Sequence, residues 1–154
     1  MASKTILDAD AVVRALQGAF ARGAARAELL QIVASRLHAA GGPYTGVYLY
    51  MLHGDDLVLE IFEGRPTHHT RIRVGSGICG QAVAERRDIN VPDVARADGY
   101  LACSLETKSE LVVLIRRRDE ILGQIDIDSD TTNGFDAAEE AAVRTVADAL
   151  AVFL

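Results

Sequence analysis

Apolar positions in the first part of the chain recur at helical spacing. Val12, Val13, Leu16 and Phe20 form one stripe, which Asp8 or Asp10 can cap and Gly23 can end. A second stripe over residues 25–39 carries Leu29, Leu30, Ile32, Val33 and Leu37, and Gly41, Gly42 and Pro43 stop it. From residue 44 the period shortens to that of strands. Residues 44–52 and 57–62 flank a His53-Gly54-Asp55-Asp56 turn and read as a hairpin. Residues 70–74 alternate, with Ile72 and Val74 on one face and Arg71 and Arg73 on the other. A glycine-rich turn and a short helix near residues 78–85 follow. Residues 88–109 hold little apolar sequence beyond residues 89–91, and a loop of that length in a compact domain is usually functional or disordered. Residues 109–117 and 121–129 form a second hairpin across Arg118, Asp119 and Glu120. A last helix opens at Asp136, with Glu139 placed to approximate a capping box, and carries Val143, Val146 and Leu150. Terminal helices around a central antiparallel sheet predict an α+β domain.

Composition narrows this picture without changing it. At 154 residues, 49% apolar and 25% charged, the chain fits one soluble globular domain over residues 1–154, with helices in residues 1–40 and the sheet, loops and last helix in residues 44–154. A net charge of -6 makes nucleic acid and anionic membrane poor partners. No apolar run approaches the ~20 residues that a membrane helix needs. The N-terminus lacks a charged-then-apolar signal pattern, so a cytoplasmic protein is expected. Thiols stay reduced there, and Cys79 and Cys103, the only two cysteines, are expected to be free or transiently paired. Two buried structural cysteines are the plain alternative.

Several groupings could carry chemistry. Residues 75–80 spell GxGxxG between a strand and a helix. The preceding strand alternates with arginines, whereas a dinucleotide-binding first strand is apolar throughout, and no βαβ unit follows. The glycines therefore predict a tight turn that lets backbone approach something closely. That turn puts Cys79 near a helix N-terminus, where a thiolate is favoured. His68 and His69 are adjacent, and on a strand they would face opposite ways, so no metal site is expected from them. Period two puts Asp126 and Asp128 on one face of their strand and Ile125 and Ile127 on the other. With Arg118–Glu120 as the turn, Glu110 falls roughly opposite Asp128. Like charges across a ladder are destabilising, which calls for a cation, a ligand ammonium, or a proton held by one carboxyl with a raised pKa. A solvated sheet face is the alternative. Tyr44 and Tyr48 are an even number apart, share a strand face on this reading, and could line a pocket.

These residues bring a family into view. The stretch from residue 44 to residue 154 resembles a GAF domain, and within that fold the free methionine-(R)-sulfoxide reductases. The resemblance is carried by YTGVYL at 44–49, GSGICGQAV at 75–83, Asp93-Val94, YLACS at 100–104, SELVV at 109–113, IDIDSD at 125–130 and NGFD at 133–136. It implies reduction of free L-methionine-(R)-sulfoxide to L-methionine, with no bound cofactor. Cys103 falls on the family's catalytic cysteine and Cys79 on its second cysteine. Glu110, Asp126 and Asp128 fall on the carboxylates that hold and activate substrate. Tyr44 stands where a pocket tryptophan is usual, and Tyr48 on a pocket tyrosine. Three positions depart from the family pattern. His69 stands where many members have a resolving cysteine, Ser104 follows Cys103 where aspartate is usual, and Tyr44 replaces tryptophan.

The implied chemistry uses a carboxylic acid to protonate the sulfoxide oxygen, attack by Cys103 on sulfur, and a Cys103 sulfenic acid. Cys79 or an external thiol reductant, such as thioredoxin or glutathione, would clear that sulfenic acid. Nearby carboxylates disfavour the Cys103 thiolate, and Arg96, Lys108 or a helix end would have to compensate. A sensor or binding module for a small metabolite, without turnover, is the competing reading. The terminal helices offer a homodimer interface under either.

Overall fold

The computed structural model describes residues 5–97 and 106–154. Cys103 and Ser104 lie outside the described residues.

Helix α1 (Ala9–Ala21) begins where the Asp8 carboxylate accepts a hydrogen bond from Ala11 N at 3.1 Å, which settles the capping choice left open between Asp8 and Asp10. It buries Val12, Leu16 and Ala19, while Phe20 stays half exposed against Phe153. Helix α2 (Arg26–Ala39) buries Leu29, Leu30, Val33, Ala34 and Leu37 along one side. Six strands follow among the described residues: β1 (Gly46–His53), β2 (Asp56–Gly64), β3 (Arg71–Arg73), β4 (Ile89–Val91), β5 (Ser109–Arg117) and β6 (Glu120–Ser129). Helix α3 (Gly77–Glu85) lies between β3 and β4, and α4 (Ala137–Val152) closes the chain.

The strands form one sheet in the order β3-β2-β1-β6-β5-β4, and each adjacent pair is antiparallel. The α+β class and the antiparallel sheet expected from the pattern are what form. Residues 89–91, too short to stand out in the sequence, pair with β5 as an edge strand. They gain this order from the β5 partner, because isolated three-residue strands carry too little burial to persist.

Alternation splits the sheet into two apolar layers. Val47, Leu49, Met51, Leu111, Val113, Ile115, Ile125 and Ile127 face α1, α2 and α4. Tyr48, Tyr50, Val112 and Leu114 face α3, with Cys79, Ala82 and Val83 packed onto them. Each fully buried leucine or isoleucine contributes roughly 1.5–3 kcal/mol, so the helical layer holds most of the apolar burial. The α3 layer is thinner and contains the buried carboxyls of Glu110, Asp126 and Asp128.

Two sequence expectations change here. The first strand begins at Gly46, so Tyr44 precedes it and does not share the face of Tyr48. Tyr44 packs in the helical layer, edge-on to Phe135 at 5.6 Å, and its hydroxyl donates to Glu139 Oε2 at 2.6 Å. The capping box forms by half. Asp136 accepts from Glu139 N at 2.8 Å, but the Glu139 side chain turns inward and accepts from Ile6 N, Leu7 N and Tyr44. A buried carboxylate with three donors is better solvated there than one bonding back to its own cap.

Candidate functional site

The glycine-rich turn builds the roof of the site. Gly75 and Gly77 take left-handed φ values of 96° and 61°, which branched residues avoid. A side chain at Gly80 would place its Cβ 2.4 Å from Arg73 O, so the close backbone approach expected from the sequence is to the chain's own β3. Gly75 N donates to Gly80 O at 2.9 Å and locks the turn. Cys79 then points from the start of α3 down to the sheet. Gln124 Nε2 donates to Cys79 O at 3.0 Å and ties the helix to β6.

The floor comes from the ladder. Glu110 pairs directly with Asp128, as the hairpin reading required, and Asp126 sits between Tyr48 and Val112. All three acids are buried, at 4% exposure for Glu110, 1% for Asp126 and 2% for Asp128, which rules out a solvated face. Cys79 Sγ donates to Glu110 Oε2 at 3.9 Å. Single donor atoms from Cys79, Glu110 and Asp126 all lie within 4.8 Å of one another. Among the described residues, Asp126 Oδ1 has no hydrogen-bond partner.

The wall comes from the segment joining β2 to β3. Tyr48 and Tyr50 each donate at 2.6 Å to a carbonyl in it, Arg65 O and His69 O. Gly46 leaves room for this, because a Cβ there would lie 2.4 Å from the Tyr48 hydroxyl. Arg65 clamps the segment to the end of β6 through two contacts with Asp130, at 2.6 and 2.7 Å, and one with Glu106 at 2.8 Å. His69, Ile72, Ser76, Gly77, Cys79, Glu110 and Asp126 line one cavity. His68 and His69 precede β3 rather than sit on a strand, and of the two only His69 lines that cavity.

Protonation follows from burial. Burial pushes the Asp126 carboxyl above its ordinary range, against lowering contributions from hydrogen bonds to Glu110 and Cys79 and from the charge of His69. The Cys79 thiol is raised well above 9.0, first by burial and then by Asp126 and Glu110. This overturns the expectation of a thiolate at the helix start. A helix terminus contributes roughly 0.3–1 kcal/mol, which cannot offset burial among carboxyls. Cys79 is a neutral thiol at pH 7.

The structure thus brings together Cys79, Glu110, Asp126, Asp128 and Tyr48 on one face and leaves Tyr44 on the other. Gln124 and His69 were not singled out as site residues by the sequence. Gln124 had a legible signal, since it shares the period-two face of Asp126 and Asp128. His69 had a signal only in the family resemblance, where it takes the place of a resolving cysteine, and tyrosine-held loop backbone brings it to the cavity.

Among the described residues, a six-stranded antiparallel sheet with helices layered on one face, and a short helix roofing buried polar groups on the other, defines an α+β module with a small enclosed polar cavity. The GAF domain family matches residues 25–154, and the chain belongs to that family. Over 97 residues the chain is 41% identical to GAF domain-containing protein A of Dictyostelium discoideum, covering 63% of this chain and 60% of that one. Over 95 residues it is 38% identical to the free methionine-R-sulfoxide reductase of Escherichia coli, covering 62% of this chain and 57% of that one. The chain therefore matches less than two thirds of the length of either curated relative. The solved structure of type II free methionine-R-sulfoxide reductase from Thermoplasma acidophilum superposes with a TM-score of 0.80 at 36% identity, over 83% of this chain and 91% of that chain. No helix among the described residues is long and apolar enough to cross a membrane.

Proposed function

We propose that this chain reduces free L-methionine-(R)-sulfoxide to L-methionine with electrons from thiols. The observation that carries this is the buried carboxyl cluster beneath Cys79, in which Asp126 holds a proton above the ordinary aspartate range. A sulfoxide oxygen leaves sulfur only once protonated, and a carboxylic acid kept neutral by burial is a suitable donor. The remaining carboxylates, Glu110 and Asp128, complement the ammonium of a free amino acid. That pairing relieves the like-charge contact across the ladder, which gives the site a preference for free methionine sulfoxide over the same residue in a peptide. Tyr48 closes one side of the acid row. The similarity to proteins named free methionine-R-sulfoxide reductase supports this substrate.

Cys103 is the proposed nucleophile. Its assignment rests on the family resemblance, and the state of Cys79 supports it by contrast, since a buried neutral thiol among carboxyls is a poor nucleophile. In the first step the Cys103 thiol and the sulfoxide give a Cys103 sulfenic acid and methionine. Cys103 loses two electrons and the substrate sulfur gains them. In the second step a thiol attacks the sulfenic acid, releases water and forms a disulfide. That thiol is Cys79 or an external reductant of thioredoxin or glutathione type, and a further thiol reduces the disulfide. No metal or cofactor is invoked.

The test is direct. Purified reduced protein is incubated with free L-methionine-(R)-sulfoxide and a dithiol, and methionine is measured. Turnover that Cys103→Ser abolishes is expected. Cys79→Ser is expected to leave the first turnover intact and, if Cys79 resolves, to abolish only recycling. Tight binding of methionine sulfoxide without methionine production by folded wild type would sink the reductase reading and leave a metabolite-binding module.

A further inference from the structure

The cavity holds a donor set that the reductase chemistry does not need in this form. Cys79, Glu110 and Asp126 present one sulfur and two carboxylate oxygens within 4.8 Å of one another. Donors on a tetrahedral zinc-like ion stand about 3.3–3.5 Å apart at ordinary bond lengths. The 3.9 Å from Cys79 Sγ to Glu110 Oε2 is therefore within a small side-chain adjustment of ligation. An independent sign points the same way. Asp126 is 1% exposed, lines the cavity, and among the described residues leaves Oδ1 without a partner. A buried carboxyl oxygen without a partner can ligate a cation once Asp126 gives up its proton. His69 lines the same cavity and adds an imidazole.

We propose that Cys79, Glu110 and Asp126 form a binding site for a borderline-soft divalent cation such as Zn2+, with His69 beside it as a fourth donor. The mixed thiol, carboxylate and imidazole set favours Zn2+ over Mg2+ or Ca2+, which prefer all-oxygen shells and more ligands. Binding forms the metal–sulfur bond and releases the protons held by Cys79 and Asp126 to solvent, so affinity rises with pH. Two positive charges offset the carboxylates more fully than a bound ammonium does. Under the reductase reading, the ion competes with the substrate ammonium and takes Cys79 out of any resolving role. The site itself does not depend on that reading.

Cadmium serves as the probe, because a thiolate bound to Cd2+ gives a charge-transfer band in the ultraviolet. Cd2+ is titrated into the reduced full-length chain in metal-free buffer with no small thiol present, and Zn2+ is then added to displace it. One equivalent of saturable signal is expected in wild type, kept in Cys103→Ser and lost in Cys79→Ser, with at least tenfold weaker binding in Asp126→Asn. A signal that survives Cys79→Ser, vanishes in Cys103→Ser alone, or never saturates overturns the site. If circular dichroism shows Cys79→Ser unfolded, the affinity of Asp126→Asn decides, and wild-type affinity there overturns it. Turnover is not measured in these titrations, so failure of the reductase assay leaves them unaffected.

Discussion

Tyr44→Phe separates the two places where Tyr44 could act. In the structure its hydroxyl donates to Glu139 Oε2 at 2.6 Å, inside the helical layer. Burial and the Glu139 carboxylate push that hydroxyl well above the usual tyrosine range, so it is a permanent donor. Phenylalanine keeps the ring in place against Phe135, 5.6 Å away and edge-on, and opens no cavity. What is lost is one hydrogen bond to a charged group, about 1.5–3 kcal/mol. Glu139 keeps the amides of Ile6 and Leu7, at 2.7 and 3.0 Å, so its carboxylate is not stripped and the lower half of that range applies. At roughly 2–4 °C per kcal/mol for a domain of this size, the melting point falls by about 3–9 °C. Urea unfolding at pH 7 measures the loss, and a double-mutant cycle with Glu139→Gln should show at least ~1 kcal/mol of coupling. The KM for methionine sulfoxide should stay within about twofold of wild type, because the hydroxyl lies across the sheet from the acids. Unchanged stability together with a raised KM would refute this placement and put Tyr44 in the pocket.

Three other outcomes follow from the site. Asp126 holds a proton in the folded chain that the unfolded chain releases above about 3.8, so its contribution to stability falls as pH rises from that value through the folded pKa. Asp126→Asn should therefore gain thermal stability relative to wild type as pH goes from 4 to 8 while losing turnover; a variant that instead loses stability relative to wild type over that range would contradict the raised pKa. In a Cys103→Ser background, iodoacetamide should alkylate Cys79 at pH 8 at least tenfold more slowly in the native protein than in urea, and equal rates would mean an exposed or ionised thiol. Gly80→Ala should destabilise by about 1–3 kcal/mol by overpacking, since its Cβ meets Arg73 O at 2.4 Å, and a neutral or stabilising effect in urea unfolding would show that the turn can open.

Much of the architecture was legible before any coordinates. Helices α1, α2 and α4 announced themselves through apolar spacing and capping residues, and the hairpin of β5 and β6 through a charged turn between two apolar runs. The register of that hairpin placed Glu110 against Asp128, and period two put Asp126 beside them. Strand β4 was too short to read alone, because its pattern matters only once β5 stands next to it. Where β1 begins was also beyond local pattern, since an aromatic residue just before a strand can turn to either face. Cys103, the proposed nucleophile, was found by its family motif and lies outside the described residues.

The sequence by itself determined the class of fold, the row of acids on one sheet face and the glycine turn that carries Cys79. These are local matters of period, turn chemistry and chirality, and neighbouring residues suffice to set them. Tertiary structure decided what those groups are. Lying under α3 and behind the tyrosine-held segment, the acid row is buried rather than solvated, so the Asp126 carboxyl is pushed above its ordinary range and Cys79 is a neutral thiol rather than a helix-start thiolate. The same packing turned Tyr44 to Glu139 and brought His69 into the cavity. Burial and electrostatics depend on what lies across space, and no spacing along the chain encodes that distance.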